Sequence, residues 1–245
     1  MDSSRPPKVS VVLASYNEVE NVVPLIRALR RCVSEPHEIL LMDDDSPDGT
    51  AAVAEAAFGD DPRVRVCVRK AHRGFANSIR DGIERARGEK LLVMDSDFNH
   101  DPATAPLLIG ISEFTDIASA SRFCAGGGME DRRRYLLSFF YNWFLRLLLR
   151  TRVQDNLFGY FVMRREKLLA LPLDQIFYGY GDYFFRLLWF AQRSKYSIIE
   201  IPAYCGARHG GVSKTDMPRV FLRYTREVAR LWLKGDAIDS GPARR

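Results

Sequence analysis

Along the first half of the chain, apolar residues come in short unbroken runs that alternate with segments of helical spacing. Residues 8–14 (Lys-Val-Ser-Val-Val-Leu-Ala) predict a first strand, 15–18 a turn and 19–32 a helix. The cycle then repeats. Residues 38–42 read as a strand, 51–58 as an alanine-rich helix, and 64–68 as a strand in which apolar residues alternate with arginine. Residues 74–86 are helical, 90–94 form a strand, 103–111 a helix and 116–120 a further short strand. Unbroken aliphatic runs bounded by polar turns mark strands buried on both faces. Alternation of β and α at this spacing predicts a doubly wound, mostly parallel α/β sheet with helices on both faces. Ligands of such sheets bind outside the carboxyl ends of the strands. Two acidic clusters end two strands, Asp43-Asp44-Asp45 and Asp95-Ser96-Asp97, so both are expected to face one crevice.

From Arg132 the pattern changes. Residues 132–150 predict one long apolar helix of roughly 25–30 Å at 1.5 Å per residue. Arg134, Ser138, Asn142 and Arg146 recur every four residues and make one polar stripe. Polar residues at its centre suit a helix lying in a membrane interface better than one spanning a bilayer. A helix packed into the core with its polar face along a site would carry the same stripe, and the two readings are compatible. Residues 155–163 read as a turn into another strand, 183–191 as an apolar helix and 197–201 as a last short strand. Arg208-His209-Gly210-Gly211-Val212-Ser213-Lys214 is a glycine-rich basic loop. Residues 218–234 set Phe221, Tyr224, Val228, Leu231 and Trp232 on one side and Arg223, Arg226, Arg230 and Lys234 mostly on the other. Helices resting on anionic lipid and helices packed on a sheet share that pattern. Residues 236–245 read as a mobile tail.

Composition narrows the class. A chain of 245 residues can bury one full α/β core, so a single domain is expected. The net charge of +5 favours anionic partners: nucleotide, phospholipid surface or nucleic acid. Cys32, Cys67, Cys124 and Cys205 have no zinc spacing, so reduced thiols in a cytoplasmic protein are expected. The first eight residues lack the apolar stretch of a signal peptide. No unbroken run of about 18 apolar residues predicts a membrane span.

Candidate chemistry concentrates at 91–102, where four apolar residues run into Asp95-Ser96-Asp97-Phe98-Asn99-His100-Asp101-Pro102. Two carboxylates with the amide of Asn99 make a hard oxygen site, suited to Mg²⁺ or Mn²⁺ held together with substrate phosphates. Alone, Asp-x-Asp is equally the mark of a helix cap and a turn; its place at a strand end favours the metal. His37 and His72 are expected at the surface. His100, after the acidic motif, and His209, in the basic loop, are each placed to touch phosphate.

Taken in order, Ala-Ser-Tyr-Asn-Glu at 14–18, Asp-Asp-Asp-Ser-Pro-Asp-Gly-Thr at 43–50, Met-Asp-Ser-Asp-Phe-Asn-His-Asp-Pro at 94–102, Ser121-Arg122 and Arg208-x-x-Gly-x-Ser213-Lys214 resemble a known family. It is the family 2 glycosyltransferases of the GT-A fold and, within it, the dolichyl/polyprenyl-phosphate mannosyltransferase group. The resemblance spans about residues 8–215, and its Ser-Pro-Asp-Gly-Thr and Arg-x-x-Gly-x-Ser-Lys segments point to a polyprenyl-phosphate acceptor. It implies that Ala14, Tyr16 and Glu18 line the nucleotide pocket, that Asp44 contacts base or ribose, and that Asp95, Asp97 and Asn99 hold the cation on the diphosphate. It also implies that Arg122, Arg134 and Ser138 bind phosphates and that Arg208, Ser213 and Lys214 close over donor and acceptor. Asp97, Arg122 and Arg208 would carry the catalytic load. Related enzymes have Gln in place of Asn99. They have Thr-Ser where Leu157 and Phe158 stand, and Glu where Arg186 stands. Some carry C-terminal transmembrane helices; here a membrane-protein partner or the chain's own amphipathic helices, 132–150 and 218–234, would hold it at the bilayer.

The chemistry implied is transfer of a sugar, mannose from GDP-mannose in the first instance, to a lipid phosphate with inversion. A phosphate acceptor is already ionised near neutral pH and needs no base, so cations positioning two phosphates suffice. An alternative is a family 2 transferase using another sugar nucleotide and a soluble acceptor. A hydroxyl acceptor needs a base, for which Asp182 is the candidate, although Asp182 also reads as a helix N-cap. A non-catalytic basic domain rests on charge alone, and the apolar–basic split at 135–150 suits lipid better than nucleic acid, which is not expected as a partner.

Overall fold

The computed structural model describes residues 6–206 and 217–239. Strands β1 (Val9–Ser15), β2 (His37–Asp43), β3 (Val64–Val68), β4 (Lys90–Asp95) and β5 (Ile117–Ser121) form as the apolar runs predict. A two-residue β6 (Gly128–Met129) precedes β7 (Phe161–Arg164) and β8 (Ile198–Pro202), and β6 pairs with β9 (Tyr204–Cys205). The main sheet has seven strands in the order β3-β2-β1-β4-β7-β5-β8. All its neighbours are parallel except β7, which is antiparallel to both β4 and β5. The sequence predicts this strand but not its direction. After β5 the chain stays at the carboxyl edge, where Asp155 binds Arg122, so β7 enters from that edge and runs back.

Helices α1 (Val22–Cys32), α2 (Thr50–Phe58), α3 (Phe75–Arg85) and α4 (Ala105–Ile111) alternate with the first strands. They are followed by α5 (Arg132–Leu149), the short α6 (Arg165–Leu169) and α7 (Leu173–Ile176), α8 (Tyr183–Arg193) and α9 (Met217–Asp239). The pleat divides β1 between two cores. Val9, Val11 and Leu13 meet α1, α2 and α4, while Val12 and Ala14 meet α3 and share a cluster with α8. A third cluster joins Leu145 and Leu149 of α5 to Phe185 and Trp189 of α8 and Val228 and Leu231 of α9. His37, expected at the surface, is buried at the start of β2, with Nδ1 2.8 Å from the Glu35 carbonyl; burial lowers its pKa. His72 is exposed as expected.

Helix α9 packs directly over the backbone at 179–181. A Cβ added to Gly181 would lie 2.5 Å from the Tyr224 hydroxyl. Gly181→Ala therefore has to displace a largely buried ring or the helix carrying it. Overpacking of this kind costs about 1–3 kcal/mol, which a urea titration of the variant would show as a lowered midpoint.

Candidate active site

Strand register brings the acidic clusters together. Ser15 pairs with Asp43 and Ala14 with Asp95 across adjacent parallel strands, so the ends of β1, β2 and β4 open on one edge. Asp44, Tyr16 and Asp97 follow directly. Ser121-Arg122 leaves the same edge from β5, and residues 155–160 lie across it into β7.

The 43–50 segment owes its composition to its own folding. Asp43 accepts from the Ser46 amide at 2.9 Å, Ser46 Oγ accepts from the Asn17 amide at 2.9 Å, and Thr50 Oγ1 accepts from the Glu18 amide at 2.9 Å. Asp48 accepts from Thr50 and from the Val19 amide. The loop thus clamps the turn carrying Tyr16. Tyr16 is exposed, with the Arg73 guanidinium 5.4 Å above its ring. Glu18 is buried and accepts from Asn21 Nδ2 at 2.7 Å. Ala14 lies in the core, and its carbonyl accepts from Ser96 Oγ at 2.9 Å; it supports the pocket from below. Asp44 is buried, accepting from Arg69, from Ser78 Oγ at 2.7 Å and from the Gly74 amide at 2.7 Å. An ionised carboxylate has about four acceptor positions, so Asp44 first fixes the Gly74–Phe75 wall and keeps little capacity for a ligand.

At the end of β4, the Asp95 side chain is one-third exposed and Asp97 is buried. Asn99 donates its amide N–H to Asp97 Oδ1 at 3.1 Å and its Nδ2 to Oδ2 at 2.8 Å. In this arrangement Asn99 orients Asp97. Among the described residues no three acidic, histidine or cysteine side chains gather as a metal cage. Two carboxylates at a strand end nevertheless suit a hard cation that completes its shell with phosphate oxygens and water.

His100, expected to touch phosphate, is instead 1% exposed. Its Nδ1 accepts from the Asp95 amide at 2.9 Å, and the ring stacks on Tyr160 with centroids 4.9 Å apart. Burial pushes its pKa down to about 4, so the ring is neutral at pH 7 and its Nδ1 acts as acceptor. Because the folded state resists protonation and the unfolded state does not, stability falls as the pH drops from about 6.5 towards 4, by up to about 3 kcal/mol. In metal-free protein His100→Asn, which keeps an acceptor near Nδ1, is expected to remove that slope; urea midpoints at pH 7 and 4.5 check it.

Arg122 is buried and held at three points by Asp155, which is fully enclosed. Its backbone N–H, Nε and Nη2 lie 3.0, 2.7 and 2.8 Å from the carboxylate. Burial works against the guanidinium charge, but Asp155 more than offsets this and holds its pKa above the ordinary value. Nη1 has no hydrogen-bond partner among the described residues. Arg134 is exposed in the first turn of α5, and Ser138 is half-buried one turn on. The predicted stripe divides: Asn142 is buried beneath the site, while Arg146 faces solvent. Arg208, His209, Ser213, Lys214 and the tail from residue 240 lie outside the described residues.

Asp182 occupies the N-cap position of α8, as one reading expected, but its side chain caps nothing in the helix. Both it and Arg186 are fully buried, paired at 2.5 Å. Asp182 also accepts from the Tyr180 amide at 2.8 Å, and Arg186 Nε donates to the Ile176 carbonyl at 2.8 Å. Arg186 thus offsets the charge of Asp182. Asp155, Asn142 and Arg73 also stand at the site. Asp155 and Asn142 lie in segments whose pattern predicts a turn and a polar stripe, whereas Arg73 carries no motif.

Comparison with known proteins agrees with this geometry. The model for "Glycosyl transferase family 2" matches residues 10–171. The dolichol-phosphate mannosyltransferase of Pyrococcus furiosus is 33% identical over 239 residues, covering 95% of this chain and 66% of that protein. The polyprenol monophosphomannose synthase of Mycolicibacterium smegmatis is 34% identical over 213 residues, 83% of this chain and 79% of its own. Among solved structures, glucosyl-3-phosphoglycerate synthase from Mycobacterium tuberculosis with Mn²⁺, UDP and glucosyl-3-phosphoglycerate superposes with a TM-score of 0.69 at 20% identity, over 93% of this chain and 79% of that one. The central sheet is therefore that of a GT-A glycosyltransferase, and the chain belongs to glycosyltransferase family 2.

Proposed function

We propose that this glycosyltransferase moves a sugar, mannose from GDP-mannose in the first instance, onto the phosphate of a polyprenyl lipid. The observation that carries this reading is the burial of Asp182 in its pair with Arg186. A hydroxyl acceptor needs a base, and Asp182, the candidate for it, is fully buried against Arg186. A phosphate acceptor needs none, and the crevice edge instead offers Arg122 Nη1 and the exposed Arg134. The relatives named for lipid-phosphate mannosyl transfer support the same choice.

Asp95 and Asp97 would hold Mg²⁺ or Mn²⁺, with Asn99 fixing Asp97. When bound, the cation would offset the negative charge that grows on the departing diphosphate. Structural neighbours crystallised with Mn²⁺ or Mg²⁺ are consistent with this. Tyr16 and Arg73 would flank the nucleoside, and the remaining acceptor position of Asp44 would meet base or ribose. Arg122 and Arg134, with Ser138 and the loop residues Arg208, Ser213 and Lys214, would bind phosphate. Much of the rate gain then comes from bringing two substrates into line.

A lipid acceptor also suits the surface. Leu136, Phe140, Trp143 and Leu147 form one row on α5, all more than half exposed. Leu137 beside them and Phe221, Leu222 and Leu233 on α9 are equally exposed. Apolar patches with cationic rims mark lipid-facing surfaces. No helix among the described residues is long and apolar enough to cross a membrane; the exposed apolar rows read as a surface that lies on the bilayer, by itself or beside a membrane partner. Burying one aromatic ring gains about 1.5–3 kcal/mol. Trp143→Glu is accordingly expected to cut flotation with anionic vesicles by about tenfold or more.

Two measurements test the reaction. A donor at a hundred times its dissociation constant stabilises by about 2.7 kcal/mol, so GDP-mannose with Mn²⁺ should raise the melting temperature and other sugar nucleotides should do so less. Radiolabel from the donor should pass into an organic-soluble, mild-acid-labile product. Label remaining in water would favour the soluble-acceptor alternative.

A further inference from the structure

One polar side chain is buried under the apolar helix α5. Asn142 is 1% exposed in a helix otherwise built of Leu, Phe, Tyr and Trp at its centre. Its Oδ1 accepts from the Asn156 amide at 2.6 Å, and its Nδ2 donates to the Ser138 carbonyl at 2.9 Å. Nδ2 also lies 3.5 Å from Asp155 Oδ1. Asn142 therefore grips the peptide that joins Asp155 to Asn156. From the opposite side Glu200 of β8 accepts from the Gln154 amide at 2.7 Å and the Asp155 amide at 2.9 Å. Asp155 is pinned between a helix and an edge strand, and its carboxylate in turn fixes Arg122 in a bidentate pair.

A buried amide in an apolar helix is costly unless both ends are paired. Leucine would fill the space without that demand. The partners chosen are the peptide and carboxylate that aim Arg122, on the same helix whose outer row faces lipid.

We infer that Asn142 is a positioning residue that couples the seating of α5 to the placement of the Arg122 guanidinium at the acceptor phosphate. The inference rests on the reading of Arg122 as a phosphate ligand. It goes beyond that reading in assigning a role to a residue that touches no substrate. Seating α5 moves the Asp155–Asn156 peptide through Asn142, and Arg122 follows its carboxylate. Asp95 connects to the 155–160 segment one step further on, through His100, which accepts from its amide and packs on Phe158 and Tyr160, so the donor side feels a change at Asn142 less directly.

The test is a double-mutant cycle in the full chain, using Asn142→Leu and Arg122→Lys. Lysine keeps a charge opposite Asp155 and loses the fork. Turnover is measured with GDP-mannose, Mn²⁺ and undecaprenyl phosphate in micelles. Asn142→Leu is expected to raise the acceptor KM about five- to tenfold and the donor KM less than about twofold, and to add nothing further in the Arg122→Lys background, the non-additivity of coupled sites. Multiplying losses, or equal rises in both KM values, would mean a structural role alone and overturn the inference. If Arg122→Lys leaves the acceptor KM unchanged, the phosphate-ligand reading of Arg122 fails and takes the inference with it. Asn142→Ser, too short to reach the Asn156 amide, carries the same expectations should the leucine variant not fold.

Discussion

Asp97→Asn is expected to lower kcat by about 10²–10³, the cost of removing one preorganised electrostatic stabiliser of a developing charge. The substitution changes one oxygen to nitrogen on a residue whose surroundings are polar and local. Asn99, two positions along the chain, donates to both oxygens of Asp97. Its amide group can turn to present an oxygen to the new nitrogen, so the local fold survives. What is lost is the charge. With only Asp95 left, a cation would be held by one carboxylate and whatever the diphosphate supplies, and both its affinity and its field on the leaving oxygen fall. Steady-state turnover across a Mn²⁺ titration should show the fall in kcat together with a rightward shift of the metal dependence. The Mn²⁺-dependent rise in melting temperature with GDP-mannose should shrink in parallel. Unchanged turnover would leave the paired-carboxylate reading without support.

Much of this site was legible in the chain because its residues sit where two local signals meet. Apolar runs ending in Asp43–Asp45 and Asp95–Asp97 gave both the strands and the edge they share, and register then placed Ala14 opposite Asp95. What could not be read were the partners of each polar residue. The spacing of Arg134, Ser138, Asn142 and Arg146 is one helical stripe, but a row wide enough to touch two environments can divide, and Asn142 went inward while Arg146 went out. Nothing in the order of residues says that Arg186 would be drawn into the core, because a buried arginine requires acceptors from Ile176, Tyr178 and Asp182 at once. The antiparallel course of β7 depends on where residues 122–160 run, a tertiary fact. His100 reads as a phosphate contact by sequence proximity; the aromatic rings of Phe158 and Tyr160 enclosing it come from a segment some sixty residues on.

Asp155→Ala is expected to be the most destabilising single change at the site. The carboxylate is fully enclosed and accepts three bonds from Arg122 and one from the Leu157 amide at 3.2 Å. Removing it leaves a buried guanidinium without its counter-charge, and breaking such a pair costs about 3–5 kcal/mol. Domains of this size are stable by about 5–15 kcal/mol in all, so the variant should lose about a fifth or more of its stability and show a correspondingly lower urea midpoint. The double replacement Arg122→Leu with Asp155→Leu separates stability from function. Exchanging a buried ion pair for apolar residues of similar volume is often neutral or favourable, so the double variant should recover most of the lost midpoint. It should not recover turnover, because the guanidinium proposed to meet the acceptor phosphate is gone. A double variant that regains both would show that the pair holds the fold and plays no part in the transfer.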